Sequence, residues 1–298
     1  MSIPPAADPG TVLRDATAAM RQGNLPDAGA LAAAAEARFQ ARGDADGRMR
    51  AGNLRGAVAF EIGKVGEAEQ YFGAALEIAH RLDDTLMTAR TSNNLASVAH
   101  LTGRPELALS MYRLALVAYQ RLGDRRGMAE TSHNFGIAFR QLRQWGEAER
   151  AAEEAVRHAD ATGDAALRGL ALVGLAELHL ELRAWALAER EIERATALAL
   201  EGHDPIGVVE AKRLHALLLL GLRRSVPSLE LAMEARAEAL ALGSALLAAE
   251  CGMVAVRAAA ASGDTDRAAS LRTETESELR RLGASGLLAR LDEEAQGA

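Results

Sequence analysis

The sequence contains a single cysteine, few aromatic residues and no excess of basic residues, and each shortage excludes a class of protein. Cys251 has no partner for an intrachain disulfide, and one cysteine excludes the cysteine-rich zinc sites. The formal net charge of −7 argues against a general nucleic-acid-binding surface, which requires a basic stripe. Aromatic residues are 3% of a chain that is 49% hydrophobic, and much of the hydrophobic fraction is alanine. A core of such small side chains predicts helices that pack at close range.

Long apolar runs are also rare. The most membrane-like stretch, residues 244–263, contains Glu250 and Arg257, whereas a membrane span needs about 20 predominantly apolar residues. Residues 1–10 contain three prolines and have neither the basic nor the apolar segment of a secretory signal. We therefore expect a cytoplasmic protein without a membrane span, and a flexible leader over residues 1–10.

What the sequence does contain is a short turn that recurs every forty residues. No insertion or deletion interrupts the series between its first and last members. Self-similarity at a period of this size indicates a stack of like supersecondary units that share one core. The seven turns are Gly43-Asp44, Asp83-Asp84, Gly123-Asp124, Gly163-Asp164, His203-Asp204, Gly243-Ser244 and Gly283-Ala284.

Each unit is predicted to be a pair of helices. The first helix ends near a glycine such as Gly103 or an arginine such as Arg143, and glycine just past a helix is a common C-terminal stop. The second helix begins after residues such as Pro105, because proline is tolerated at a helix start but not in its interior. A small residue early in the second helix recurs seven residues later on the same face. The two series are Ala28, Ala68, Ala108, Ala148, Ala188, Ser228 and Ala268, then Ala35, Ala75, Ala115, Ala155, Ala195, Ala235 and Thr275.

The first helices carry a large residue followed by a small one, as in Leu95-Ala96, Phe135-Gly136 and Leu175-Ala176. Together with the small residue that opens the second helix, this pattern resembles the tetratricopeptide repeat. The resemblance covers roughly residues 11–283 and is closer to a forty-residue bacterial subclass than to the 34-residue type. It implies an all-α fold: a right-handed α-solenoid of about seven helix-turn-helix repeats.

Two departures and one addition complete the predicted domain organisation. Asp15 and Arg55 occupy the position of the large residue in the first two units. Leucines within residues 285–295 predict a short helix that caps the last unit. We therefore expect a leader over residues 1–10, a seven-unit array over 11–283, and a capping helix with a tail over 284–298.

No motif for catalysis or metal binding is found. Gly63-Lys64 lacks the upstream glycine of a phosphate-binding loop, and no two histidines have the i, i+4 spacing of a metal pair on one helix. His100 and His133 from neighbouring units could approach each other, but we interpret them as separate surface histidines. We expect no catalytic residue, no metal, no cofactor and no enzyme activity. A catalytic site gathered from several units is the rival hypothesis.

In tetratricopeptide arrays the first helices line the concave side, so the resemblance implies a binding surface at first-helix positions that the packing does not use. An asparagine amide can hold the backbone of an extended peptide, and arginine offers a bidentate fork for a carboxylate. Arginines along one wall would favour an acidic or C-terminal segment. The alternative interpretation is a solvated polar face. The predicted partner-binding residues are Arg50, Asn53, Arg90, Asn93, Asn94, Ser97, His133, Asn134 and Arg140.

The same positions become apolar further along the chain. They could contact an apolar helix of a partner or a second copy of this chain, because exposed apolar patches mark contact sites. The alternative is that they belong to the core, which the run of leucines over residues 217–220 favours. The candidate apolar contact residues are Leu170, Val173, Leu180, Leu217 and Leu220.

These observations predict a protein- or peptide-binding scaffold or adaptor that binds an extended or acidic segment of a partner protein. Two alternatives are a peptide-sensing regulatory array and a structural subunit of a larger assembly. The expected partner is a protein or peptide and not nucleic acid, and the apolar half would also allow self-association.

Overall fold

A computed structural model describes residues 8–296, and the chain there is a succession of α-helices joined by short turns. This confirms the predicted all-α solenoid of seven helix pairs followed by a capping helix. Odd-numbered helices up to α13 are the first helices of their units. The elements are α1 (Pro9–Arg21), α2 (Leu25–Ala41), α3 (Ala45–Glu61), α4 (Val65–Arg81), α5 (Thr85–Leu101), α6 (Pro105–Leu122), α7 (Arg125–Gln141), α8 (Trp145–Asp160), α9 (Ala165–Glu181), α10 (Trp185–Glu201), α11 (Pro205–Gly221), α12 (Ser225–Ala241), α13 (Ala245–Ser262), α14 (Thr265–Leu282) and α15 (Ser285–Gln296).

The first helix begins inside the predicted leader. Because α1 begins at Pro9, the last two residues assigned to the leader lie in the first helix, and Asp8 caps it by accepting a hydrogen bond from the Thr11 N–H. The rest of the predicted leader, residues 1–7, and residues 297–298 of the predicted tail lie outside the described residues.

The recurring turn works by a two-part local mechanism. Its first residue adopts the left-handed conformation, which stops one helix, as Gly123 does with a φ of 67°. In five of the seven turns the next residue is an aspartate that starts the following helix: Asp124 Oδ1 accepts a hydrogen bond of 3.0 Å from the Gly127 N–H. The same aspartate cap occurs at Asp44, Asp84, Asp164 and Asp204. The sequence repeat is therefore a repeat of helix stop and start signals.

The small residues that open the second helices form the contact within each unit. Ala28, Ala68 and Ala108 have no exposed surface, and Ser228 adds a hydrogen bond of 2.7 Å to the Ala216 carbonyl. Ala268, in the last unit, is partly exposed. Small side chains here let the two helices approach closely, so the core is built from alanine rather than from bulky residues.

Arg55, which replaces a large apolar residue in unit two, is accommodated by partners on the second helices. Its guanidinium donates to Glu36 at 2.5 Å and to the Tyr71 hydroxyl, and it lies 4.1 Å from the centroid of the Tyr71 ring. A charge is tolerated at this position because the side chain is stacked and ion-paired.

The first helices form the inner layer of the array. Each of them from α1 to α11 contacts the first helix of the next unit, in addition to its own partner helix. Elements on the inner side of a curved stack are necessarily closer together, so this contact places the first helices on the concave side, as the resemblance implied.

The array closes on itself, which the sequence did not predict. The turn between α14 and α15 lies against the turns of units two and three. A side chain at Gly286 would come within 2.9 Å of the Gly103 backbone nitrogen, and Leu282 lies against Gly63. Leu101 and Leu291 belong to one core cluster. We call this contact the seam; through it, α15 caps the last unit and also contacts α5.

Within residues 8–296, α13 is the one helix long and apolar enough to cross a membrane, with a mean hydropathy of 1.4. Of this helix window, 61% is buried inside the protein, and α13 contacts α11, α12 and α14. Its composition is accounted for by its place in the repeat core.

Candidate functional site

The concave surface is defined by four positions of each first helix. In α11 these are Glu210, Arg213, Leu217 and Leu220, which lie three or four residues apart and therefore share one face. The equivalent residues of α3, α5, α7, α9 and α13 lie before or after these at multiples of forty positions. We call this surface the inner face.

Asparagine amides dominate the inner face and its edge on α3, α5 and α7. The Asn94 amide donates a hydrogen bond of 3.1 Å to Asn53 Oδ1, which joins two neighbouring units. Asn93 Oδ1 is buried without a partner, and among the described residues no hydrogen bond involves the side chain of Asn93 or Asn134. Two of the four predicted amides are thus already engaged, and two keep their full hydrogen-bonding capacity.

Ser97 lies on the same face, but its hydroxyl is engaged. Ser97 Oγ is 3.2 Å from the Asn93 backbone oxygen and 3.2 Å from the hydroxyl of the buried Tyr112. It therefore positions its neighbours rather than offering a free group to a ligand.

The three predicted arginines do not form a free basic wall. Arg50 is exposed and pairs with Asp46 at 3.0 Å and Asp84 at 3.8 Å. Arg140 is largely buried and pairs with Glu177. Arg90 is exposed, and no ion pair to it is found within the described residues. Only one of the three is available for a carboxylate, because the chain itself supplies acids to the other two.

Alternating charges cross the inner face obliquely from α7 to α13. Arg140, Glu177, Arg213 and Glu250 follow one another at intervals of 36–37 residues, so each lies one unit further on and about one helical turn nearer the start of its helix. We call these four residues the charge ladder. Arg213 Nη2 lies 2.5 Å from Glu177 Oε1, and the same nitrogen lies 2.9 Å from Glu210 Oε2.

The interior of the ladder is electrostatically satisfied. Burial by itself would raise the pKa of Glu177, but Arg140 and Arg213 outweigh it and hold that pKa well below its usual range. Burial would likewise lower the pKa of Arg213, and Glu210 and Glu177 raise it well above the ordinary value. These side chains are only 10–14% exposed, so removing one partner would leave a buried charge uncompensated.

The α13 end of the ladder is different. Glu250 makes no hydrogen bond or ion pair with any described residue. Burial raises the pKa of Glu250 to about 7; Arg213 opposes this rise, and Glu210 adds to it. The series therefore ends in a carboxyl group whose charge is not matched by a contact.

His133 is buried and His100 is half-buried, so neither is the surface histidine that we predicted. His133 is 7% exposed, and its Nδ1 faces Gly174, where an added side chain would approach within 2.5 Å. Burial, together with Arg140 and Arg213, lowers the pKa of His133 to about 4. Burial and the charges of Arg290 and Arg140 do the same for His100. Both imidazoles are neutral at neutral pH.

The predicted apolar contact residues divide into core and surface. Val173 and Leu180 are 5% and 9% exposed and pack in the core of units five and six, so a partner cannot reach them. Leu217 and Leu220 are partly buried against the cluster that includes the seam, and Leu170 is 38% exposed. The core interpretation holds for the first pair because the inner helices pack tightly there.

The predicted binding set missed Glu177 and Glu250. The signal that could have identified them is the alternation of charge at an interval slightly shorter than the repeat. Within residues 8–296 no group of three or more His, Cys, Asp or Glu side chains is arranged to hold a metal ion.

A stack of forty-residue helix pairs with its first helices inside defines the class of helical repeat arrays. The model of the tetratricopeptide repeat family matches residues 49–121 and 87–161, in the units where the sequence pattern is best. Residues 49–161 therefore carry tetratricopeptide repeats. No curated protein sequence matches the chain.

Solved structures share the architecture over most of the chain. The chain is similar to a Rap protein complexed with competence and sporulation factor, with a TM-score of 0.83 and 15% identity over 95% of this chain and 78% of that one. It is also similar to the apo quorum sensor NprR from B. thuringiensis, with a TM-score of 0.60 and 12% identity over 96% and 85% of the two chains. Aspartyl phosphate phosphatase F from Bacillus subtilis gives a TM-score of 0.65 and 13% identity over 100% and 92%. At these identities the likeness is one of fold.

Proposed function

We propose that this chain is a peptide-binding scaffold that holds an extended segment of a partner protein along the inner face. The observation that carries the proposal is the pair of unused amides, Asn93 and Asn134, on adjacent inner helices. An amide with both donor and acceptor free can bond to the backbone of an extended chain in either direction. A buried polar atom without a partner is costly, which favours a ligand that supplies the missing hydrogen bond.

Two similar structures support a binding role. The Rap protein was solved in complex with competence and sporulation factor, and NprR is a quorum sensor. A third similar structure is named a phosphatase, and that name describes the other protein. For this chain we propose binding without catalysis, because the inner face presents amides and matched ion pairs.

The test uses random heptapeptides selected on the purified protein, with affinities measured by fluorescence anisotropy. The Asn93→Ala and Asn134→Ala double variant should bind the selected peptides at least about 10-fold more weakly, the loss expected for two hydrogen bonds of about 1 kcal/mol each. Gln120→Ala, which removes an exposed amide from α6, is the matched control and should bind as the unaltered protein does. Equal affinity for the double variant and the control would contradict the proposal.

A regulatory array is the second candidate, and the seam is the observation that favours it. Because the array closes on itself, the first helices and α15 are linked in one closed series of contacts. A ligand that spans several first helices therefore also acts on the seam. Small-angle scattering with and without a selected peptide separates the two roles. A changed profile supports a sensor, and an unchanged profile supports a static scaffold.

A further inference from the structure

We propose that the ligand of the inner face carries a cationic group, either a lysine or arginine side chain or a free amino terminus, that binds at Glu250. This inference rests on the proposed function, because it specifies the chemistry of the same ligand. It also revises the acidic segment predicted from the sequence.

The geometry of the charge ladder points to this position. Arg140, Glu177 and Arg213 each contact at least one opposite charge. Glu250 is the next member of the series and contacts none among the described residues. One further step of 36–37 residues leads to Gly286 and Leu287 on α15, neither of which carries a charge. The chain therefore ends the alternation on a carboxylate, and a ligand cation would supply the missing partner.

With Glu250 ionised, the three carboxylates of this region outnumber its two arginines, Arg213 and Arg290, so the net charge attracts a cation. Three carboxylates, Glu177, Glu210 and Glu250, surround Arg213, which already contacts the first two. Arg290 of α15 acts on Glu250 only from a distance, without an ion pair. A cation placed here gains attraction from two nearby carboxylates in surroundings that screen charge less than water does.

A second, independent observation lies beside the ladder. His133 is buried to more than nine-tenths, and no hydrogen bond to either of its ring nitrogens is found in the described part of the chain. Its ring is close enough to Glu177, Arg140 and Arg213 to respond to their charges. His133 lies on α7, at the opposite end of the charge ladder from Glu250, and is therefore a second position along the ladder where a polar ligand could supply a missing hydrogen bond.

The arginines do not offer an equivalent site for an acid. Arg140 and Arg213 are occupied by Glu177, and a ligand carboxylate would have to displace a buried ion pair. Binding a cation at Glu250 displaces no contact. The inner face therefore discriminates against acidic side chains on α9, α11 and α13.

The experiment is a selection from a bead library of random heptapeptides in which half of the beads are acetylated at the amino terminus. Unaltered protein, Glu250→Gln and the control Glu230→Gln, an exposed carboxylate on α12, are screened in parallel. We expect the unaltered protein and the control to enrich lysine, arginine or free amino termini at least 3-fold over the library. Glu250→Gln should lose that enrichment. The acetylated half shows whether the cation is a side chain or the terminus.

A double-mutant cycle then tests whether the two charges are in contact. The best selected peptide and its lysine or arginine→methionine (or acetylated) counterpart are titrated against both proteins. The cation should contribute at least 10-fold to affinity for the unaltered protein and less than 3-fold for Glu250→Gln. Circular dichroism melts of all variants exclude misfolding as the cause.

The outcomes distinguish the two proposals. Selected peptides without a cation, or with an affinity unchanged by Glu250→Gln, overturn this inference and leave peptide binding standing. If no peptide is enriched on the unaltered protein, the proposed function fails, and the inference fails with it.

Discussion

The two halves of the inner face are built on the same helical positions and differ in chemistry. Asn93 in α5 and Arg213 in α11 are equivalent residues of units three and six. The half that carries the asparagine amides (the amide half) leaves hydrogen-bonding groups unused, as Asn93 Oδ1 shows. The half that carries the charge ladder (the ladder half) joins its groups into buried ion pairs. The same helical position therefore leaves a polar group without a partner in one unit and joins two units in another. Burial and neighbouring charge decide between the two roles.

The largest expected effect comes from breaking the ladder. Arg213→Met leaves the buried Glu177 with one partner instead of two and removes the partner of Glu210. We expect a loss of about 3–5 kcal/mol in the free energy of unfolding, measured by urea titration at pH 7. Asn93→Ala, at the equivalent position, should change it by less than about 1 kcal/mol. Similar losses in both variants would show that the halves do not differ.

The second prediction concerns pH and the open end of the ladder. Because the folded pKa of Glu250 is raised from 4.5 to about 7, the folded state binds the proton more tightly, so the contribution of Glu250 to stability should fall as pH rises from about 4.5 to 7. Burial is the main cause of the raised pKa of Glu250, which Glu210 and Glu177 raise further and Arg213 and Arg290 oppose. Glu250→Gln should remove the fall and be more stable than the unaltered protein at pH 8 by about 1–3 kcal/mol.

Thermal melts between pH 5 and 8 measure this difference. Glu177 contributes in the opposite sense, because its lowered pKa costs stability only when pH falls below 4.5. His100 and His133, whose pKa values burial lowers to about 4, make stability rise up to about pH 6.5 in both proteins, so the difference between the two melting curves isolates Glu250. A Glu250→Gln variant that parallels the unaltered protein across this range would refute the assignment.

The third prediction concerns the seam, where the end of the array meets the amide half. Gly286→Ala places a methyl group against the Gly103 backbone and the Leu101 carbonyl, at 2.9 and 3.0 Å. We expect a loss of about 1–2 kcal/mol and a larger radius of gyration by small-angle scattering. Gly146→Ala, at the same second position of α8, meets open space and should be neutral or slightly stabilising. A radius of gyration that is the same in both variants would mean that the seam does not hold the array closed.

The smallest effect is expected in the turn of unit four, where the two halves meet. Arg143 has a φ of 55°, a conformation that costs about 1 kcal/mol for a residue with a side chain. Arg143→Gly should raise the melting temperature by a few degrees. Arg113→Gly, the same change within α6, should lower it, because glycine weakens a helix interior by about 1 kcal/mol. A decrease in both variants would show that the turn is not strained.

Much of the fold could be predicted because its signals are local. The left-handed stop at Gly123 and the aspartate cap at Asp124 act over four residues, and the same chemistry repeats down the chain. The small residues of the second helices were predicted for the same reason. The place of Asn93 on the inner face and of Asn134 at its edge followed from the resemblance, and their role in binding stays a prediction.

The rest depended on partners that lie far apart in sequence. Arg140 looked free in the sequence because its acid, Glu177, is 37 residues away on another helix. His133 looked exposed because nothing local shows that Gly174 makes room for its ring. Val173 and Leu180 looked like a contact surface until the packing of α9 with α10 and α11 placed them in the core.

By itself, the sequence determined where each helix begins and ends and which faces meet within a unit, since hydrogen-bonded caps and side-chain volumes act at short range. Only the tertiary structure decided that the array closes at Gly103 and Gly286, and that the ion pairs of the charge ladder end at Arg213 and leave Glu250 without a contact. Closure depends on a small rotation between neighbouring units, which accumulates over seven repeats. No single position of the repeat encodes the accumulated rotation.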